Sequence, residues 1–437
     1  MKLPILSGVS GEQTERGVLK REAIAGATTF FTMAYIVVVN PAILSGGAGM
    51  PFSGVLTATV LLSASMSLLM GLYADLPFAV APGMGLNAFF AYSICAGRGV
   101  PWQEALGIVF WAGALFTAIS LTPLRARLAE GIPKNLRSAS AAGIGMFLTF
   151  IGLRNAGFVV ADPVTFVKLG PLGKPPLLAL LGLAVCCRLL RRKSPFAFLA
   201  GIAAATAGGW ALGLVRAPEV WFSRPDFSLI GKMAPLAALK PALWGATISI
   251  LFTDLFDSIS TFVGVSEACG LLDAQGRPKN LQKGLLVDAL ATLSAGLLGT
   301  SSGTAYIESS AGIEAGGRTG LASVVTAACF LPCLFLAPAA ALVPGFATAP
   351  VLILVGALMF RSVAALDLET LEDAVPAFLT IVLIPLTFSI TQGLLWGFVA
   401  HAGLYALAGR RRELTPMALG LAGLAALLLA LEHGAWR

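Results

Sequence analysis

Three acidic residues stand where an acid is costly. Asp254 and Asp257 lie in LFTDLFDSISTF, inside an apolar run from Ala246 to Val265, and Glu308 lies in GTSSGTAYIESSAGI. A carboxylate in the middle of a membrane-spanning segment costs roughly 3 kcal/mol on insertion scales, so each is a functional candidate by default. Asp254 and Asp257 are spaced i,i+3 and project to roughly one helix face. Two carboxylates so close in low dielectric should not both be ionised. One can hold a structural hydrogen bond while the other exchanges a proton or meets a ligand. Around Glu308 the chemistry is set by the backbone. Gly299, Ser301, Ser302, Gly303 and Thr304 make poor helix interior, and Tyr306 to Ile313 can restart a helix. Unwound chain at membrane depth survives only where it lines a cavity, which is how transporters build substrate sites. Free N–H groups at the restart would favour a charged Glu308 and orient a polar ligand. Asn87 holds the comparable place in an earlier broken stretch, LPFAVAPGMGLNAFFAY, and offers both donor and acceptor. Tyr306 shares the face of Glu308 if the chain between them is extended, bringing an aromatic surface beside the acid.

Each residue also has a structural reading. Asp254 can bond a neighbouring helix, and Asn87 can be interhelical glue. Thr28, Thr29 and Thr32 on the first segment either line the cavity or bond back to their own helix. Glu267, Asp273 and Glu314 fall near segment ends, where solvated or charge-paired roles suffice. Asp288, within the ninth segment, has no role beyond an interhelical hydrogen bond. Paired intramembrane aspartates also suit an aspartyl hydrolase, two acids sharing one proton. Here both share one helix, and no Gly-x-Gly-Asp occurs to supply a second site. No Gly-Lys-Ser/Thr loop for ATP-driven pumping is present either.

The elements that must hold these residues are membrane helices. The chain has 437 residues, 57% hydrophobic and 12% charged; soluble domains carry about twice that charged fraction. Apolar segments fall at 22–44, 53–73, 77–96, 102–122, 138–157, 176–190, 196–214, 242–266, 281–298, 303–315, 318–338, 346–362, 374–390 and 391–408. That makes about fourteen spans at roughly 20 residues each. A further apolar run, 415–431, either spans or lies along the surface. The net charge of +7 is dispersed among loops, so nucleic acid is not an expected partner. Arg125, Arg127, Lys134 and Arg137, then Arg188, Arg191, Arg192 and Lys193, then Arg277, Lys279 and Lys283, and finally Arg410, Arg411 and Arg412 fall on one side. This is a positive-inside bias with the N-terminus cytoplasmic. No signal peptide is evident. The six cysteines read as small apolar packing, Cys329 and Cys333 included, and no metal site is expected. The broken third and tenth segments are seven apart. Seven spans per half, an odd number, require the halves to run in opposite senses: an inverted repeat.

GATTFFTMAYIVVVNPAIL, LPFAVAPGMGLNAFFAY, LFTDLFDSISTFVGV and GTSSGTAYIESSAGIEAGGRTGL, in that order, resemble the AzgA-like purine permeases, a branch of the nucleobase:cation symporters. The resemblance runs from about Glu22 to Arg412. It implies a fold similar to the uracil permease: an all-α polytopic protein of about fourteen segments in two inverted sevens. The broken third and tenth segments would contain short extended pieces that pair near the site. The implied division is a cytoplasmic tail (1–21), core domain (22–124, segments 1–4), gate domain (125–236, segments 5–7), core (237–340, segments 8–11), gate (341–412, segments 12–14) and a C-terminal apolar segment (413–437). The implied activity is import of hypoxanthine, guanine or adenine across the cell (inner) membrane by proton symport, with sodium the other coupling ion open and no cofactor. Asp257, Glu308, Asn87, Tyr306, Met84 and Thr32 are the expected substrate-binding residues, and Asp257, Asp254 and Glu308 the proton-coupling ones. Met84 stands where the family pattern has an opposing aromatic, so the base would be sandwiched differently. An aspartate replaces the uracil permease's eighth-segment glutamate, leaving more room. The fold is compatible with a homodimer. A uracil, xanthine or anion carrier of the same fold is the alternative, although two acids in the site count against an anion.

Overall fold

The computed structural model describes residues 12–122, 133–273 and 278–433. Most of the N-terminal tail and the basic residues Arg125, Arg127 and Arg277 lie outside them. Helices α1 (Glu12–Met33) and α2 (Ile36–Ala48) form the first segment, and α3 (Phe52–Leu69) with its continuation Met70–Ala74 the second. Strand β1 (Val80–Pro82) and helix α4 (Met84–Ala88), which runs on to Gly97, make the broken third, and α5 (Trp102–Ser120) the fourth. Next come α6 (Lys134–Ala156), the hairpin β2 (Val159–Asp162) and β3 (Phe166–Leu169), α7 (Lys174–Arg191) and α8 (Ala197–Ala211). In the second half α9 (Trp244–Cys269) and α10 (Leu281–Leu298) lead to β4 (Gly303–Ala305) and the short α11 (Ser309–Glu314). Helices α12 (Gly320–Phe330), α13 (Gly345–Phe360), α14 (Leu371–Leu386), α15 (Ile390–Leu407) and α16 (Pro416–His433) follow. Among the described residues seven helical runs are long and apolar enough to cross a membrane, and Met84–Gly97, Ala197–Ala211, Gly320–Phe335 and Pro416–Ala430 are shorter apolar helices. The chain is a multi-pass membrane protein.

Lipid gives no hydrophobic drive between helices, so close packing depends on small residues. Gly145 of α6 and Gly356 of α13 face one another so tightly that a Cβ on either would strike the other's carbonyl oxygen. Gly182 of α7 and Gly201 of α8 meet similarly, and Gly113 of α5 lies against the backbone of α10 at Thr292 and Leu293. At the foot of α12, carboxylates take the free N–H groups: Glu22 accepts from Arg318 N (2.9 Å) and Asp75 from Gly320 N (2.8 Å). This satisfies donors that a helix start leaves unpaired.

The two breaks meet. Strands β1 and β4 pair antiparallel in the register Val80↔Ala305, Ala81↔Thr304 and Pro82↔Gly303, as inverted halves require. The C-terminal run 415–431 is the helix α16. It packs mainly on α15 and touches α9, and Leu421, Leu424, Ala425 and Leu428 line a small gap with Leu394, Phe398, Ile248 and Phe252.

Candidate functional site

Backbone at membrane depth must find its partners inside the protein, and side chains around the strand pair supply them. Ser67 Oγ accepts from Val80 N (2.9 Å) and donates to Val80 O (3.2 Å), while Ser309 Oγ accepts from Ala79 N (3.0 Å). The ladder is extended by Tyr306 N donating to Ala79 O and Gly83 N to Ser302 O, both 2.9 Å. Thr292 Oγ1 lies 2.9 Å from Gly303 O, and Asp288 accepts from Ala305 N (2.7 Å). Asp288 also accepts from Ser258, whose hydroxyl lies 3.0 Å from that of Thr304. The ninth-segment acid thus clamps β4 to α9.

Beside this clamp lies a cavity of about 140 Å³ with two unlike walls. One is polar: Thr253, Asp257 and Thr261 come from successive turns of α9, and Thr304, Tyr306 and Glu308 from the tenth segment. The other is apolar: Ile144 of α6 and Val355, Leu358 and Met359 of α13. Gly83, Met84, Gly85 and Leu86, at the start of α4, close one end. Tyr35, at the kink between α1 and α2, donates its hydroxyl to Glu308 Oε1 (2.5 Å). Tyr306 is held by its own hydroxyl, which donates to Pro82 O (2.5 Å). Glu308 is the residue that opens α11, and at six residues that helix is too short for a strong dipole. Asp257 lines the cavity without a hydrogen-bond partner among the described residues. Two acceptors and a fixed aromatic ring therefore face a greasy plate across a slot suited to a flat, polar-edged solute.

Of the expected site residues, Asp257, Glu308, Tyr306 and Met84 come together on this cavity. Three do not line it. Asn87 is wholly buried, accepting from Ser301 and directing its Nδ2 toward Pro82 O (3.4 Å), so it fastens the third segment to the tenth. Asp254 accepts from Thr292 and from Ser302 (3.0 Å), and its Oδ1 has no partner among the described residues. Thr32 and Thr28 bond back to Thr28 O and Ile24 O, both at 2.8 Å, as Ser and Thr in helices commonly do. Three polar cavity residues, Tyr35, Thr253 and Thr261, escape sequence reasoning. Tyr35 sits far from the other motifs along the chain, and Thr253 is one threonine among many; its place next to Asp254 was the one available cue.

A helical membrane protein whose paired strand breaks meet beside a buried acidic cavity is a secondary-transporter architecture. The sequence matches the permease family over residues 20–395, and the chain belongs to it. It is 42% identical to adenine permease AdeP of Escherichia coli (strain K12) over 405 residues, covering 92% of this chain and 91% of that protein. It is 41% identical to guanine/hypoxanthine permease PbuO of Bacillus subtilis (strain 168) over 416 residues, covering 92% and 95%. Among solved structures, the transmembrane domain of the cyanobacterial bicarbonate transporter BicA superposes with a TM-score of 0.66 at 18% identity, covering 87% of this chain and 97% of that one. That likeness carries the inverted-repeat fold. The protein is therefore a permease and not an enzyme.

Proposed function

We propose that the protein imports purine nucleobases (hypoxanthine, guanine or adenine) across the cell membrane by proton symport, with its N-terminus cytoplasmic. The observation that carries this reading is the meeting of Asp257 and Glu308 on one cavity between the strand breaks, in a chain closely related to permeases named for adenine and for guanine/hypoxanthine. A purine offers ring N–H donors, which carboxylates accept, and ring-nitrogen or carbonyl acceptors, which the first-turn N–H groups of α4 can meet. Its faces would rest between the Tyr306 ring and the apolar wall. Among the described residues no Lys, Arg or His lines the cavity, which argues against the anion carriers that share this fold.

The unlike walls suggest the cycle. The polar wall belongs to the core domain (22–124 and 237–340) and the apolar wall to the gate domain (125–236 and 341–412). Protonating an acid lowers the cost of closing the cavity from water. The protonated, loaded core then shifts against the gate as a rigid body and opens on the other side. Asp257, unpartnered in the cavity, is the first proton carrier; Asp254, with one oxygen free, is the second. The fold is compatible with a homodimer. The test is uptake of labelled hypoxanthine, guanine, adenine and uracil by cells lacking their own permeases, with and without a protonophore and with sodium replaced. Purine-selective accumulation that collapses with the protonophore is expected. Uracil preferred over every purine, or accumulation that follows sodium alone, would overturn the purine or the proton assignment respectively.

A further inference from the structure

Many hydroxyls of the membrane helices follow one habit. Thr28, Thr32, Thr59, Ser63, Thr117, Ser140, Thr149, Thr326 and Thr380 each donate to the carbonyl four residues earlier. On α9 itself Thr247 closes on Leu243 O (3.3 Å). Thr253, on the same helix, does not. Its Oγ1 is buried and has no hydrogen-bond partner among the described residues, and of the unpaired buried oxygens among them it alone belongs to a residue lining the cavity. Thr261, two turns on, also lines the cavity, yet its oxygen is not sealed off and unpaired in this way. An unpaired buried hydroxyl costs about 1–3 kcal/mol, and threonine in a helix has an easy remedy in its own backbone. A hydroxyl that declines that bond, one turn from Asp257, is poised for a partner that arrives.

We propose that Thr253 is a specificity-determining residue, whose hydroxyl pairs with the exocyclic group on the six-membered ring of the bound purine. This rests on the purine reading given above. Apart from the Thr261 hydroxyl, two turns further along α9, the remaining polar groups of the cavity have a fixed sense, Thr304 being paired with Ser258. Asp257 and Glu308 accept when ionised, the α4 N–H groups donate, and the Tyr35 and Tyr306 hydroxyls are already committed to Glu308 and Pro82. An oxo group accepts and an amino group donates, so a site that takes either needs a group able to do both. A rotating hydroxyl does so; the unpaired Thr253 side chain is that group. Asn87, the amide expected to serve, is turned away to Ser301.

The test compares wild type, Thr253→Val and Thr253→Ser in competition of labelled hypoxanthine uptake, normalised to transporter in the membrane. The competitors are hypoxanthine, adenine and unsubstituted purine, which lacks the exocyclic group. Thr253→Val should weaken hypoxanthine and adenine about tenfold and leave unsubstituted purine within about twofold. Thr253→Ser should stay within about twofold of wild type for all three. Should the valine variant not reach the membrane, Thr253→Ala carries the same comparison. Equal losses for all three bases, or none, overturn the assignment while leaving purine transport intact. A wild-type protein that takes up no purine removes the functional reading and this inference together.

Discussion

Asp288 is the most exacting place to perturb the site, because it touches the tenth segment and lies outside the cavity. Its carboxylate accepts from Ala305 N at 2.7 Å and from Ser258. Both Asp288 and Ala305 are buried, Asp288 completely. Replacing it with alanine removes two things, an acceptor and an ionisable group. Asparagine separates them. Asp288→Asn loses the ionisable group but keeps an oxygen for Ala305 N–H, so the pair Asp288→Ala against Asp288→Asn isolates the acceptor. The unpaired buried N–H costs about 1–3 kcal/mol and the cavity left by the shorter side chain about another 1 kcal/mol. Asp288→Ala should therefore be about 2–4 kcal/mol less stable than Asp288→Asn. It should also lose most uptake, since β4 positions Tyr306 and Glu308. Thermal unfolding in detergent and uptake per transporter read the two effects. If the asparagine variant were as damaged as the alanine one, the charge or its proton would matter and the clamp would not.

Two further outcomes follow from other parts of the molecule. If Asp257 carries the coupled proton, Asp257→Asn in vesicles should still equilibrate purine. It should fail to concentrate it, whereas one charge moved per base supports about 50-fold accumulation per 100 mV in the wild type. Unimpaired accumulation by this variant would move the proton to Glu308 or Asp254. On the hairpin between α6 and α7, the Lys168 ammonium bonded to Asp162 (2.8 Å), with the N–H groups of Thr165 and Val164, holds the Asp162 carboxyl down at about 2. Because the folded value lies below the unfolded one, this support is complete above about pH 4 and lost as pH falls toward 2. Exchange protection at Val164 and Thr165, measured against the intrinsic rate at each pH, should fall over that interval in the wild type. In Asp162→Asn that protection should already be low at neutral pH.

The acids and the breaks were legible because both are expensive in lipid and so conspicuous in an apolar chain. Their partners were not. Asp254 and Asp257, three residues apart, differ by about 60° around the helix. That is enough to send one into the hydroxyl network of α10 and the other into the cavity, and spacing alone cannot say which. Asn87 lies off the cavity, and an amide satisfied by Ser301 looks in sequence like one awaiting a solute. Tyr35 and Asp288 reach the site only through tertiary packing. The 415–431 run was ambiguous for a related reason. Its buried face, Ala418, Leu421, Ala425 and Leu428, becomes distinct only once α9 and α15 stand beside it.

The pairing of β1 with β4 bears on how the chain is made. Ala79 waits for Ser309, 230 residues later, and Val80 to Pro82 wait for Gly303 to Ala305. While the ribosome is still producing the intervening helices, the early break has backbone groups with no mate in the bilayer. The first half must therefore be sheltered, by insertion machinery or by admitted water, until the last third emerges. Truncation anywhere before Gly303 should leave a fragment that membrane quality control can recognise by that open seam.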